Sequence, residues 1–357
     1  MTSYLGQKVR WLTQLYPQAF AFKTTWKANE ILGVEFEVEG TNLPVQEDLT
    51  FYWQRVEDNS LRPGFAGDAA EFVLKRPTMV DYFEAKCFPY LMNKIREKGS
   101  TIAFSNRCST HFHVSVIDLF VYQVFAYVGL YYVLEDLFQP IVGEVRDGNL
   151  FCLGTRHSDL VTNQLTDAAV AGNFQPLFFT ENNRYSAVNV LAVKKYGTVE
   201  FRAMQGTFEQ ERIFLWIDML MSMREYASKL QPGQMSDLLT MMSMKGPAAF
   251  VCEVLGGPLS KGWKYILSKY TPRQIDKYVY NGISRIQALF YEPDWKAVKK
   301  AEAPAKTDDR LVRVRPSGLA ASAVQWQTVE WDVTQGVMAQ PTVQVNNGPN
   351  AGLDDGF

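Results

Sequence analysis

Residues 31–40 read Ile-Leu-Gly-Val-Glu-Phe-Glu-Val-Glu-Gly, a strict alternation that predicts a strand with two unlike faces. Val34, Phe36 and Val38 share one face, and Glu35, Glu37 and Glu39 share the other. Alternate side chains on a strand sit about 6.6 Å apart, so neighbouring carboxylates repel by about 2.5 kcal/mol at an effective dielectric of about 20. That is a large share of a fold stable by about 5–15 kcal/mol. The acidic face is therefore either open to water and salt or neutralised by a divalent cation with oxygen ligands, Mg²⁺ or Mn²⁺. Taken alone, the strand favours the solvated face, because half-exposed alternating strands are common in antiparallel sheets.

Further strand patterns fall at Thr50–Val56, Ala69–Arg76, His111–Ile117, Ser186–Val193 and Thr198–Met204. Helical patterns lie between and after them. Val80–Lys98 starts after Pro77, has a kink expected at Pro89 and ends at Gly99; a second helix is capped by Asp118 and closed by Pro140 and Gly143. Phe208–Lys229 stops before Pro232-Gly233, and Met235–Met244 and Thr271–Leu289 follow. Hairpin-like strand pairs separated by helices predict an α+β fold with a largely antiparallel sheet packed on helices.

The chain has 357 residues and 47% hydrophobic content, enough for one large core. Lys and Arg total 36 against 38 acidic residues, so no net field points to nucleic acid. The four cysteines, Cys87, Cys108, Cys152 and Cys252, are widely spaced, which fits reduced, buried thiols. The apolar run Phe120–Leu134 is too short to span a bilayer, and the first 30 residues lack a signal-peptide pattern; a cytoplasmic protein without a membrane segment is expected. After Lys299-Lys300 the composition shifts to Ala, Pro, Gln, Asn and Gly. This predicts a catalytic domain over 1–300 and a tail over 301–357 that is flexible or ordered by a protein partner.

Two of the three histidines lie in Thr110-His111-Phe112-His113-Val114-Ser115, with His111, His113 and Ser115 on one face. Paired imidazoles can ligate a metal or donate to phosphate, although a half-exposed strand with two surface histidines is the simpler reading. Thr198, Glu200 and Arg202 share one face of a later strand, where a surface ion pair is the simpler reading. The turn Asp58-Asn59-Ser60-Leu61, the acid Glu71 in a strand, and Asn183-Arg184-Tyr185 ahead of Ser186 complete the set. Packing the apolar faces on helices would gather these polar faces on one surface. Metal plus polyphosphate is a ligand pair that uses carboxylates, imidazoles and guanidiniums together.

In this order, Gly33–Glu39, Asp58–Leu61 with Glu71, His111–Val114, Asn183–Tyr185 and Gly197–Arg202 with Gly206-Thr207 resemble the amidoligase family. That family groups with the carboxylate-amine ligases related to glutamine synthetase and glutamate-cysteine ligase. The resemblance implies a glutamine-synthetase-like fold and ATP-dependent amide formation through an acyl phosphate. By motif position it implies Mg²⁺ (or Mn²⁺) held by Glu35, Glu37 and Glu71, with Glu200 a further ligand. It also implies His111 and His113 in contact with metal, phosphate or substrate, and Arg184 and Arg202 steadying the transferring phosphoryl group and binding ATP. The related ligases offer no counterpart for Glu39. Substrates would be small-molecule or peptide carboxylates and amines, in the intracellular setting of bacteria and their phages.

Two alternatives stand beside it. A degenerate module of the same fold would bind nucleotide or a partner without catalysis. A metal-dependent hydrolase would also use His-x-His, but such sites need more histidine ligands and only His157 is left.

Overall fold

The computed structural model describes residues 7–27, 29–62, 67–158, 184–231 and 244–290. A short helix α1 (Val9–Leu15) precedes β1 (Leu32–Thr41), β2 (Trp53–Val56) and β3 (Asp68–Leu74). Helices α2 (Val80–Tyr82) and α3 (Phe88–Glu97) flank a π-turn, Phe83–Cys87, and lead to β4 (Thr101–Ala103) and β5 (Ser109–Ser115). Then come α4 (Val121–Leu134), α5 (Gln139–Val142), β6 (Val188–Asn189), α6 (Ala192–Tyr196), β7 (Thr198–Gln205) and α7 (Gln210–Ser228). Helices α8 (Pro247–Val254), α9 (Lys261–Lys269) and α10 (Pro272–Phe290) complete the described chain.

The strands form one sheet in the order β2-β3-β1-β5-β7-β6, with β4 paired to β1, and every pairing is antiparallel. One face is apolar. Phe36 of β1 packs on Trp53 of β2 and Phe88 of α3, with ring centroids 5.5 and 6.0 Å away. Burying Val34, Phe36 and Val38 contributes about 1.5–3 kcal/mol each, which offsets the repulsion expected among the acids opposite.

α4 is apolar nearly all round, and every residue of it except Tyr122 is buried. Such a helix needs neighbours on all sides. Tyr131 meets Phe201 of β7 on the sheet side, at 5.3 Å, and Trp216 of α7 beside it, at 6.3 Å. On the outer side Gly282 of α10 sits so close that a Cβ there would lie 2.1 Å from the Val133 carbonyl oxygen. The α+β arrangement of helices on one face of an antiparallel sheet thus agrees with the sequence pattern.

Several local expectations change. Asp118 does not cap α4. It pairs with Arg224 of α7, while the Phe120 N–H at the helix start donates to Gln123 Oε1 at 3.0 Å. Gln123, the polar residue of the apolar run, donates in turn to the carbonyls of Ser228 and Leu230, at 2.6 and 3.1 Å. The expected strand over Ser186–Val193 shrinks to β6, because Asn189 Oδ1 accepts from the Leu191 N–H at 3.0 Å and turns the chain into α6. The irregularity expected at Pro89 appears as the π-turn just before it. The four cysteines are free and buried. Among the described residues no helix is long and apolar enough to cross a membrane. The helix expected over Met235–Met244 (apart from Met244) and the tail at 301–357 lie outside the described residues.

Candidate active site

Strand register gathers the sequence's polar faces into one row. Glu37 stands opposite Glu71 on β3, Glu35 opposite His111 on β5, His113 opposite Glu200 on β7, and Glu200 opposite Asn189 on β6. The row is covered rather than solvated: Glu37 is 5% exposed, His111 2% and Glu200 5%. This overturns the solvated reading of the triple-Glu face, the surface reading of the two histidines and the surface reading of the Glu200–Arg202 pair.

His111 is the hinge of the cluster. Its Nδ1 lies 3.3 Å from Glu35 Oε2 and 3.6 Å from Glu200 Oε1, and its Nε2 lies 2.7 Å from Ser109 Oγ and 3.7 Å from Glu37 Oε1. The Ser109 hydroxyl donates to Glu37 and so ties both residues together. His113 has both ring nitrogens engaged, Nε2 with Glu35 Oε1 at 3.2 Å and Nδ1 with Thr198 Oγ1 at 3.0 Å. Glu200 accepts from Arg202 at 2.5 Å and from Asn189 Nδ2 at 2.7 Å.

The charges are strongly coupled. Burial works to raise the pKa of Glu35, but the charge of His113 and hydrogen bonds from both imidazoles outweigh it and hold the carboxyl well below the usual range. Glu200 is likewise lowered, with burial opposed by Arg202 and the two histidines. Burial disfavours the charged ring of His113, yet Glu35 and Glu200 raise its pKa. Glu71 goes the other way, pushed up to about 9 by burial and by the charges of Glu35, Glu37 and Asp58. Four carboxyls, Glu35, Glu37, Glu71 and Glu200, share the row with one permanent cation, Arg202.

That imbalance fits a divalent cation. Two donor groups share His111: Glu35, His111 and Glu200 form one, and Glu37, Glu71 and His111 the other, with the ligand atoms of each group within 4.8 Å of one another. Carboxylate-rich sets of this kind suit Mg²⁺ or Mn²⁺, and the imidazole extends the range to softer metals. Glu39 joins neither group. Its Oε1 accepts from the Arg62 N–H at 3.2 Å and from Ser105 Oγ at 3.1 Å, which pins two loops at the edge of the site.

Beside the row lies a cleft of about 300 Å³ lined by Glu37, Asp58, Ser60, Ser109, Arg184 and Arg202, together with Arg107, Arg146, Phe151 and Tyr185. The Asp58 turn is built locally, Oδ1 accepting from the Ser60 N–H and Oδ2 from Ser60 Oγ, both at 2.8 Å. Arg184 is exposed at the rim, its guanidinium 4.6 Å from the Tyr185 ring centroid. Asn183 lies outside the described residues.

Arg107, Arg146, Ser109 and Asn189 carry no role in the motif reading. Ser109 was within reach of it, since it shares parity with His111 and His113. Arg107 and Arg146 sit in a loop and a single 3-10 turn, where no periodicity reports which way a side chain faces. The third histidine, His157, faces Asp147 at 3.6 Å and joins neither donor group, so the histidine count of the site stays at two.

No curated protein matches the chain. β1 and β3, which bring Glu35, Glu37 and Glu71, precede the stretch that a family model matches, so those acids join the site through sheet register. Residues 84–223, which carry His111, His113, Arg184, Glu200 and Arg202, match the model of the family described as "Putative amidoligase enzyme", the family whose motif order the chain resembles.

Proposed function

We propose that this chain is an ATP-dependent carboxylate-amine ligase of glutamine-synthetase-like fold, working through an acyl phosphate. The observation that carries the reading is the continuity of a buried acid and imidazole row with an arginine-lined cleft, because Glu37 belongs to both. Amide formation of this kind needs both parts. The substrate carboxylate oxygen attacks the γ-phosphorus, the bond to the bridging oxygen breaks and ADP leaves; the amine nitrogen then attacks the acyl carbon, loses a proton and expels phosphate.

Glu35, Glu37, Glu71 and Glu200, with His111, would hold the cations. Bound Mg²⁺ or Mn²⁺ supplies positive charge to the phosphate oxygens and lowers the repulsion between two anions brought together. Arg202, fixed by Glu200 and by the Phe151 carbonyl at 3.4 Å, offers a guanidinium already oriented towards phosphoryl charge. Arg184 adds a second from the rim. His113 acts as a positioning residue, holding Glu35 from one side while Thr198 holds His113 from the other. The cover over the row excludes water that would otherwise hydrolyse an activated acid.

The test is phosphate release from ATP with Mg²⁺ or Mn²⁺ across pairs of carboxylic acids and amines, followed by mass spectrometry of the product. ADP and phosphate that require both acid and amine are expected. ATP binding without amine-dependent release across the panel would make the chain a binding module, and amide hydrolysis without ATP would make it a hydrolase.

A further inference from the structure

The tail beyond the described residues carries a pattern that the ligase reading leaves unused. Residues 329–333 read Val-Glu-Trp-Asp-Val, the same order of acid and apolar residues as at 34–38 in β1. Read as an extended strand, they set Glu330 and Asp332 on one face, about 6.6 Å apart, and Val329, Trp331 and Val333 on the other. From 316 to 357 the chain has no Lys, Arg or His, so these acids have no counter-charge close by in sequence. A single strand with one apolar face is stable only against a surface that covers it.

The mouth of the cleft offers such a surface. Arginines elsewhere find acids, as at Arg55, Arg224 and Arg285, but among the described residues no carboxylate pairs with Arg107 or Arg146. Arg146 is 3% exposed and its buried Nε has no partner, and a buried cation without a counter-charge is costly. Apolar surface lies next to this charge. Phe104, Val145 and Leu150 are 37%, 56% and 75% exposed, on two loops joined at the Asn106 carbonyl, which accepts from Asn149 Nδ2 at 2.9 Å and from Arg146 at 3.5 Å.

The described chain also ends against the wall of the cleft. Arg285, near the end of α10, forks onto Asp136, with one arm at 3.1 Å. Asp136 faces Arg156 at 3.8 Å, and Arg156 Nε donates at 3.1 Å to Asp147, the residue after Arg146. The chain from Phe290 to Val329 spans up to about 120 Å when extended, against about 50 Å across a domain of this size. A tethered segment needs only weak affinity to stay bound, because its effective concentration is high.

We infer that residues 329–333 dock across the mouth of the cleft of their own chain, with Glu330 and Asp332 on Arg107 and Arg146 and with Trp331 over the loops that carry Phe104, Val145 and Leu150. The contact closes the cleft until an anionic ligand displaces the segment, so the tail is an intramolecular competitor. It goes beyond the ligase reading and does not rest on it.

Hydrogen exchange read by mass spectrometry on the full chain tests it. In the wild type, amides at 329–333 and in the loops at 104–107 and 145–151 are expected to exchange at least about tenfold more slowly than in the double variant Glu330→Gln/Asp332→Asn, the worth of one charged hydrogen bond. Trp331→Ala should release the same amides. These tail substitutions leave every described contact in place, so they decide the matter even if a cleft variant fails to fold. Arg107→Gln, at a half-buried position, should free residues 329–333 from a distance, which a local disturbance of the loop would not do. Added pyrophosphate should free them as well. Exchange of 329–333 at the rate of an unstructured chain in the wild type overturns the inference. So does protection that survives the double variant, Arg107→Gln or pyrophosphate, or that falls instead with Asp354→Asn/Asp355→Asn, which would name a different segment. Protection lost on dilution would assign the contact to a second copy and overturn it too. None of these readouts needs turnover, so a failure of amide formation removes the ligase reading and leaves the docked tail to be judged by exchange alone.

Discussion

Glu37 and Glu71 stand directly opposite each other across β1 and β3, and Glu71 keeps its proton up to about pH 9. Two like charges at one register position are destabilising in any sheet, and burial sharpens the effect. The ordinary carboxyl value is 4.5, so the folded state binds Glu71's proton more tightly than the unfolded state does. Its contribution is fully present below 4.5 and is lost as pH rises towards 9. The metal-free protein should therefore lose stability across that window. Glu71→Gln should flatten the slope, and saturating Mn²⁺ should remove it in the wild type by replacing the proton. Chemical denaturation at several pH values, with and without metal, measures all three; an unchanged slope in Glu71→Gln would assign the pH dependence to another group.

Ser109 carries no role in the motif reading, yet its hydroxyl links Glu37 to His111. Groups that orient metal ligands typically govern affinity by about 10–100-fold. Ser109→Ala should weaken Mn²⁺ binding by about that factor while the melting temperature in excess metal stays close to wild type. Titration calorimetry against Mn²⁺ reads the effect.

Arg202 and Glu35 are predicted to be indispensable for turnover. Removing one preorganised donor from developing charge costs about 10²–10³ in rate, so Arg202→Ala should fall by at least that much in ADP formation. Glu35→Gln keeps the side chain's shape and hydrogen-bonding reach but gives up its charge, and should abolish ADP formation with the fold intact by circular dichroism. Normal turnover in either variant would remove that residue from the mechanism, and in both would remove the site.

Gly282 offers a test of the fold that is independent of function. A Cβ there would meet the Val133 carbonyl at 2.1 Å, and neither helix can retreat without unpacking α4 from α10. Gly282→Ala should cost about 1–3 kcal/mol, the usual range for overpacking, even though alanine favours helices over glycine. A gain in urea midpoint would contradict the close packing of the two helices.

Much of this site is legible in sequence because a strand has period two. Alternation at 33–39, 111–115 and 198–202 tells which side chains share a face, and the face is the site. What alternation cannot report is whether that face is covered. Covering comes from the Asp58 turn, the loop around Asn106 and the segment around Phe151, whose positions depend on distant contacts. The same limit applies to Arg107 and Arg146. Glu39 illustrates the converse: it obeys the alternation yet lies beyond both donor groups and holds loops instead. Asp118 has the chemistry of a cap but is drawn to Arg224 by a contact 106 residues away in sequence.

β5 lies at the centre of the sheet, between β1, some 75 residues earlier in the chain, and β7, some 90 residues later. His111 therefore acquires its neighbours only when two long loops have closed, a slow and late event in a chain rich in non-local pairings. Cation affinity should appear during refolding only after the sheet is complete, in step with the last phase of tertiary structure. A divalent ion that binds there would select the finished sheet over every intermediate, so the proposed metal would be a check on folding as well as a participant in the proposed chemistry.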